Sequence, residues 1–228
     1  MKKLSFWMIC PLGLLLTLAA CAPLSTRKPA PTNTPAFTYT PTTVRTAVPD
    51  DWDDRSIYAD GLVQSEQGVL DELPDASIYH ISVTIGEELR SLQGQERIRY
   101  TNQETEPLDE IHFQLYPNML GGSVQIRAAS VNDVPVLAVL ESGNTALRLP
   151  LARPLQPGEN CVLQLDFTVN LPTEPGGNYG LLGYMNDILT LDGFYPSIPV
   201  YDAQGWHASP VQPNADTTFN DASFYRVQ

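Results

Sequence analysis

Histidine and cysteine are scarce in this chain, three of each, and their positions exclude the common hydrolytic and metal centres. No two of His80, His112 and His207 stand at metal-ligand spacing. The His-Glu-x-x-His pattern, which sets two imidazoles and a glutamate on one helical face, is therefore missing. There is no Gly-x-Ser-x-Gly elbow and no Cys-x-x-Cys pair. Gly176-Gly177-Asn178-Tyr179-Gly180 is glycine-rich, but without a lysine and a following Ser or Thr it reads as a chain-reversing loop rather than a phosphate cradle. His80 and His112 fall inside strand candidates, where an imidazole at the edge of the core is the ordinary outcome.

Basic residues are also few. Thirteen Lys and Arg stand against twenty-six Asp and Glu, a formal charge of −13, which argues against nucleic acid as a partner. Long apolar runs are absent but for one, Leu4 to Ala20. It follows Lys2-Lys3, lacks Asp, Glu, Lys and Arg, and is too short and too interrupted by Pro11 and Gly13 for a comfortable membrane span. That is the pattern of a secretory signal, assigned to residues 1–20. Leu18-Ala19-Ala20-Cys21 resembles the bacterial lipobox. The resemblance implies cleavage before Cys21, a diacylglyceryl group on its sulfur and an acylated new amino terminus. Two or more acyl chains on one residue make a stable membrane anchor. The expected location is the bacterial cell envelope, outside the cytoplasm. The mature chain would carry eleven cations against twenty-six acids, −15. Its one remaining cysteine, Cys161, alternates with apolar residues in Cys161-Val162-Leu163-Gln164-Leu165 and reads as a small buried hydrophobe.

Residues 21–56 are rich in Thr and Pro and poor in large apolar side chains, which predicts a disordered linker extended by about 3.1 Å per residue. Residues 57–74 carry Leu62, Val69, Leu70 and Leu73 and predict one short helix ended by Pro74. From residue 75 to 228 the signal has period two. Candidate strands are Tyr79–Ile85, Leu92–Thr101, Ile111–Leu115, Val124–Ala129, Val136–Glu141, Ala146–Leu151, Cys161–Val169 and a last one beginning at Ala222. Asn132-Asp133, Ser142-Gly143-Asn144 and Pro157-Gly158-Glu159 supply turns. Many short strands with no helix between them predict an all-β antiparallel sandwich, saddle-like and incomplete at its C-terminal end.

Pro175 to Pro210 departs from this regularity, dense in Tyr, Trp and Gly in no periodic order. Glu174-Pro175-Gly176-Gly177-Asn178-Tyr179-Gly180-Leu181, Phe194-Tyr195-Pro196-Ser197-Ile198-Pro199-Val200-Tyr201-Asp202 and Gly205-Trp206-His207 carry a resemblance that continues upstream. There Leu92-Gln93-Gly94-Gln95-Glu96, Ile98-Arg99-Tyr100-Thr101-Asn102, Leu108-Asp109-Glu110-Ile111, Leu115-Tyr116-Pro117-Asn118 and Leu155-Gln156-Pro157-Gly158-Glu159 follow in the same order. Together they resemble the amino-terminal β-domain of aminopeptidase N-like zinc metallopeptidases, peptidase family M1, from about Ile78 onward.

The resemblance implies that zinc and its ligands belong to a following helical domain, so no catalytic or metal-binding residue is assigned here and the chain alone is expected to be inactive. It implies a non-catalytic wall of a peptide cleft, with peptide as substrate only when the zinc domain is supplied. Tyr179, Tyr195, Asp202, Trp206 and His207 are positional candidates for the wall facing that domain. The acidic or amide residue and Arg-rich run that precede the Phe-Pro or Tyr-Pro step in many members are replaced here by Leu191-Asp192-Gly193-Phe194, so no substrate-binding role is carried over. The strand beginning near Ala222 suggests a chain cut within a domain, with an exposed sheet edge on which a catalytic chain could dock. The alternative is a stand-alone envelope lipoprotein that binds or scaffolds.

Overall fold

The computed structural model describes residues 51–175, 179–210 and 218–228. Cys21, the leader and the linker as far as residue 50 lie outside the described residues, as do Gly176 to Asn178. Among the described residues no helix is long and apolar enough to cross a membrane.

The strands run β1 (Ser77–Ile85), β2 (Ser91–Thr101), β3 (Leu108–Gln114), β4 (Ser123–Val131), β5 (Val134–Pro135), β6 (Val139–Glu141), β7 (Ala146–Leu155), β8 (Asn160–Asn170), β9 (Leu182–Met185), β10 (Ile188–Leu191), β11 (Tyr201–Asp202), β12 (Gly205–Trp206) and β13 (Ser223–Val227). Six form one sheet in the order β13-β1-β2-β8-β4-β5 and three form another, β3-β7-β6. Both follow from the period-two pattern, since alternate side chains of a strand share a face. Ile81, Ile98, Leu163, Leu165 and Phe167 from the larger sheet and Ile111, Phe113, Leu147 and Leu149 from the smaller are at most 1% exposed and join one core. The fold is all-β, as the alternation predicts.

Close packing at the centre fixes one residue type absolutely. A Cβ on Gly94 of β2 would lie 2.2 Å from the Phe167 ring of β8, so only glycine lets that phenylalanine lie flat on the neighbouring strand. Two residues along β2, Glu96 occupies the same core-facing row, opposite Ile81 of β1 and Leu165 of β8. It is 0% exposed, and neither carboxyl oxygen has a hydrogen-bond partner among the described residues.

Several expectations need correction. The lead-in is not one helix: it comprises 3-10 turns at Ser56–Gly61 and Gln64–Glu66 and a single α-turn, α1 (Val69–Glu72). Gly61 and Gly68 interrupt it, and a helix this short is marginal without tertiary support. Support comes from buried Leu70 and from the Arg55 guanidinium, which donates to Leu73 O and Pro74 O at 3.2 and 2.8 Å. Of the strand expected over Val136–Glu141 only Val139–Glu141 forms, as β6, while Val134-Pro135 just before it makes β5. Asn132 and Asp133, at φ 49° and 61°, make the tight turn that pairs β5 with β4. The last strand pairs with β1 in parallel, Ser77 opposite Ser223 through Ile81 opposite Val227, so the sheet is mixed rather than wholly antiparallel. Two hairpins, β9–β10 and β11–β12, lie in the stretch that gave no periodic signal.

Candidate functional site

The irregular segment after β10 is fastened to the sandwich by Gln114, the last residue of β3. Its backbone exchanges two hydrogen bonds with Ser197, at 2.8 and 3.1 Å. Its side-chain amide donates to His207 O and Ser209 O at 3.1 and 3.3 Å. Its amide oxygen accepts from the hydroxyl of Tyr116, in the short helix α2 (Tyr116–Met119). Gln114 is 4% exposed, and a buried amide is retained where it satisfies several backbone groups at once. One residue thus holds both ends of the segment that carries most of the candidate wall.

Tyr195 follows Phe194 on this segment and packs edge-to-face against Tyr79 and Tyr225, with ring centroids 5.9 and 5.8 Å away. Tyr79 stacks on Tyr225 at 4.8 Å, and its hydroxyl oxygen accepts from Ile198 N at 3.1 Å. Burial, then the hydrogen bond with Tyr225, pushes the Tyr195 hydroxyl well above its usual range. It stays neutral at any physiological pH.

The β11–β12 hairpin presents the second group. Trp206 stacks on His112 of β3, with centroids 5.7 Å apart and planes 19° apart, and meets the ring of Tyr201 edge-on at 5.0 Å. Tyr201 donates to Glu106 at 2.6 Å, and that carboxylate, the largest influence, pushes the phenol up to about 12. His207 Nε2 lies 2.7 Å from Asp202 Oδ2, while Gln204 N donates to Asp202 Oδ1 at 2.8 Å. Those contacts, the Gln204 amide first, hold the Asp202 carboxyl below its usual range. Tyr195, Asp202, Trp206 and His207 therefore all sit on the segment fastened by Gln114. Tyr179 joins none of these contacts among the described residues; it is 85% exposed, with φ 56°.

The contacts shown here are packing and hydrogen-bonding contacts. Among the described residues no hydroxyl or thiol is hydrogen-bonded to His207, and Cys161 is buried with its thiol pushed up to about 12 by desolvation. Nor do the described residues fit zinc. Among them no three His, Cys, Asp or Glu come together as a metal set. His112, 2.8 Å from Glu110 and 4.0 Å from Glu141, has both carboxylates engaged by Arg148, which bonds Glu141 at 2.6 Å and Glu110 at 3.4 Å. Gln114 was missed at the sequence level because it ends an ordinary strand and nothing in its neighbours marks a joint. The β9–β10 turn did leave a signal, Asn186-Asp187 between two short apolar runs, with φ 51° and 62°.

No family model matches the chain and no curated protein matches it. Solved structures do. An M1 zinc metallopeptidase from Deinococcus radiodurans is 26% identical over 54% of this chain, with a TM-score of 0.42. The structure of that organism's M1 zinc metallopeptidase bound to a Tyr-Ser-Ala substrate is 25% identical over the same share, also with a TM-score of 0.42. A two-domain M1 zinc metallopeptidase bound to L-arginine gives 25% and 0.42. This chain spans 28 or 29% of the length of those proteins.

Proposed function

We propose that this chain is a lipid-anchored, extracytoplasmic β-domain of the kind that walls a peptide cleft in family M1 aminopeptidases, without catalytic residues of its own. The observation that carries the reading is where the motif residues fall. Asn102, which ends the Ile98-Arg99-Tyr100-Thr101-Asn102 motif, meets the Pro157-Gly158-Glu159 motif: Asn102 N donates to Glu159 O at 2.9 Å and Gly158 N donates to Asn102 O at 2.8 Å. The Asn102 amide also donates to Glu106 O and Leu155 O at 2.9 and 2.8 Å. In Tyr116-Pro117-Asn118, the Asn118 side chain accepts from Val124 N at 2.7 Å. Tyr195-Pro196-Ser197 is held at Gln114. Motifs far apart in sequence meet at the joints of one sandwich, so they specify an architecture. Specifying chemistry would need reactive groups in reach of one another.

On this reading Cys21 carries the lipid, residues 21–50 of the expected 21–56 linker space the body from the membrane while 51–56 pack on the sheet, and Tyr195, Asp202, Trp206 and His207 face a zinc domain supplied from elsewhere. Metabolic labelling with a fatty acid, with Cys21→Ser as control, tests the anchor: label that persists in the variant refutes it. For the wall, the chain with its leader removed should release no amino acid from peptides when zinc is added. Turnover with stoichiometric zinc overturns the non-catalytic reading.

A further inference from the structure

The described residues contain eight arginines and no lysine, and three of those arginines lie on one sheet face. Directly opposed residues of neighbouring strands point to the same side. On the face of the larger sheet away from the core, Arg226 of β13, His80 of β1 and Arg97 of β2 therefore form one row, because His80 is opposite both. Phe224, Ile78 and Arg99 form the next row. In a chain with twice as many acids as bases, such a concentration of cations favours acidic ligands.

A segment of the chain itself already lies there. Asp51, Trp52, Asp53 and Asp54 precede the lead-in turns. The Trp52 indole stacks on the His80 ring, with centroids 4.5 Å and planes 17° apart. The Arg97 guanidinium stands 6.0 Å from the same indole, and Asp53 Oδ1 lies 2.5 Å from Arg99 Nη1. Arg55 lies over the Phe224 ring at 4.3 Å. The contact is shallow: the Asp53 side chain is 91% exposed although Arg99 is 15% exposed. Exposed ion pairs of this kind are weak and screened by salt. The sheet face supplies cations and rings, Arg97 also standing 3.9 Å from Asp133, and the strap of residues 51–54 lies across them.

We propose that the outer face of β13-β1-β2 is a docking site for acidic peptides carrying a tryptophan flanked by aspartates, and that Trp52-Asp53 is its resident, displaceable occupant. The indole takes the His80 position and a carboxylate takes Arg99. A partner with the same chemistry competes with the strap, and the competition weakens with salt because the contacts are exposed.

The test uses a dye-labelled, end-blocked peptide of residues 49–56, titrated by fluorescence anisotropy into the chain with its leader removed and into its Trp52→Ala/Asp53→Ala variant. The variant is expected to bind at least tenfold tighter than the unaltered chain, to lose that affinity when Arg99→Ala is added, and to weaken several-fold between 50 and 300 mM salt. Equal affinity for both proteins, or no binding to a variant that still melts cooperatively, overturns the proposal. Should the variant not fold, a Trp206→Phe chain with Trp52 as its one remaining indole reports the exchange directly. Saturating unlabelled peptide must shift the resonances of Trp52, made for this purpose as 5-fluorotryptophan, to their solvent-exposed positions, and unchanged resonances overturn the proposal equally.

Discussion

Replacing Glu96 with glutamine should make the protein more stable at neutral pH and leave its stability in acid unchanged. The carboxyl lies in the core opposite Ile81 and Leu165 with no hydrogen-bond partner among the described residues, and burial raises its pKa well above the unfolded-chain value of 4.5. Below pH 4.5 the group is protonated in both states and folding transfers no proton. Above it the unfolded chain has released the proton while the folded chain retains it. Folding then requires proton uptake, and stability is lost as the pH climbs from 4.5 toward the folded value. The slope is about 1.4 kcal/mol per pH unit between the unfolded value and the raised folded one. The glutamine amide is the same size as the carboxyl it replaces and never ionises. Subtracting the variant's urea curve from the wild-type curve cancels the carboxylates common to both, such as Glu159, which Arg153 holds at about 2. The expected difference is near zero at pH 4 and, above pH 4.5, grows by about 1.4 kcal/mol per unit until the folded value is reached, read as a urea midpoint shift that widens with pH. Glu96→Leu should add about 1–3 kcal/mol at every pH, because it also removes an unsatisfied buried polar group. Parallel pH curves for wild type and Glu96→Gln would refute the reasoning, since they would mean that Glu96 is ionised and solvated in the folded chain.

Gly94→Ala drives a methyl into the Phe167 ring and should cost at least about 1–3 kcal/mol by denaturant titration, with part recovered in the Phe167→Leu background. Asn102→Ala strands Glu106 O and Leu155 O and removes the acceptor of Glu104 N; a loss of about 3 kcal/mol or more is expected in thermal or urea melts. Cys161, with its thiol pushed up to about 12 by burial, should resist alkylation at pH 8 in the folded chain and react quickly in 6 M guanidinium, as read by peptide mass mapping; rapid native labelling would contradict its burial. Gln114→Ala should loosen the segment from Phe194 to Ser209 more than the sandwich. Amide exchange would accelerate at Ser197 and Ile198 while β8 keeps its protection.

How much could be read in advance divides by the kind of signal. β1, β2, β3, β7 and β8 announce themselves because one face of each is buried and the other is not, the one condition under which period two is visible. Glu96 fits that row by position, yet its residue type contradicts its burial, so alternation alone could place the residue but could not show that its carboxyl has no partner. The lead-in does not form one helix because Gly61 and Gly68 break the turns that the apolar spacing at Leu62, Val69 and Leu70 would otherwise join. β9 to β12 are two to four residues long and mostly half-buried, so they leave too few alternations to count. The neighbourhood shared by Tyr195, Asp202, Trp206 and His207 depends on Gln114 and Ser197, a contact between residues 83 positions apart that no local pattern encodes.

The parallel pairing of β1 with β13 also orders events in time. Gln228 O accepts from Val83 N at 2.8 Å, and 146 residues separate Ser82 from its side-chain partner Gln228. At ordinary synthesis rates that stretch takes on the order of ten seconds to emerge. Throughout that interval β1, although zipped to β2 within microseconds, offers an edge of unpaired backbone donors and acceptors to any passing strand. Closing so long a loop costs about 4 kcal/mol of chain entropy beyond a constant, recovered only when β13 arrives. Delivery of β13 thus covers this margin of the sheet, and the interval before it is when a chaperone has the most to protect.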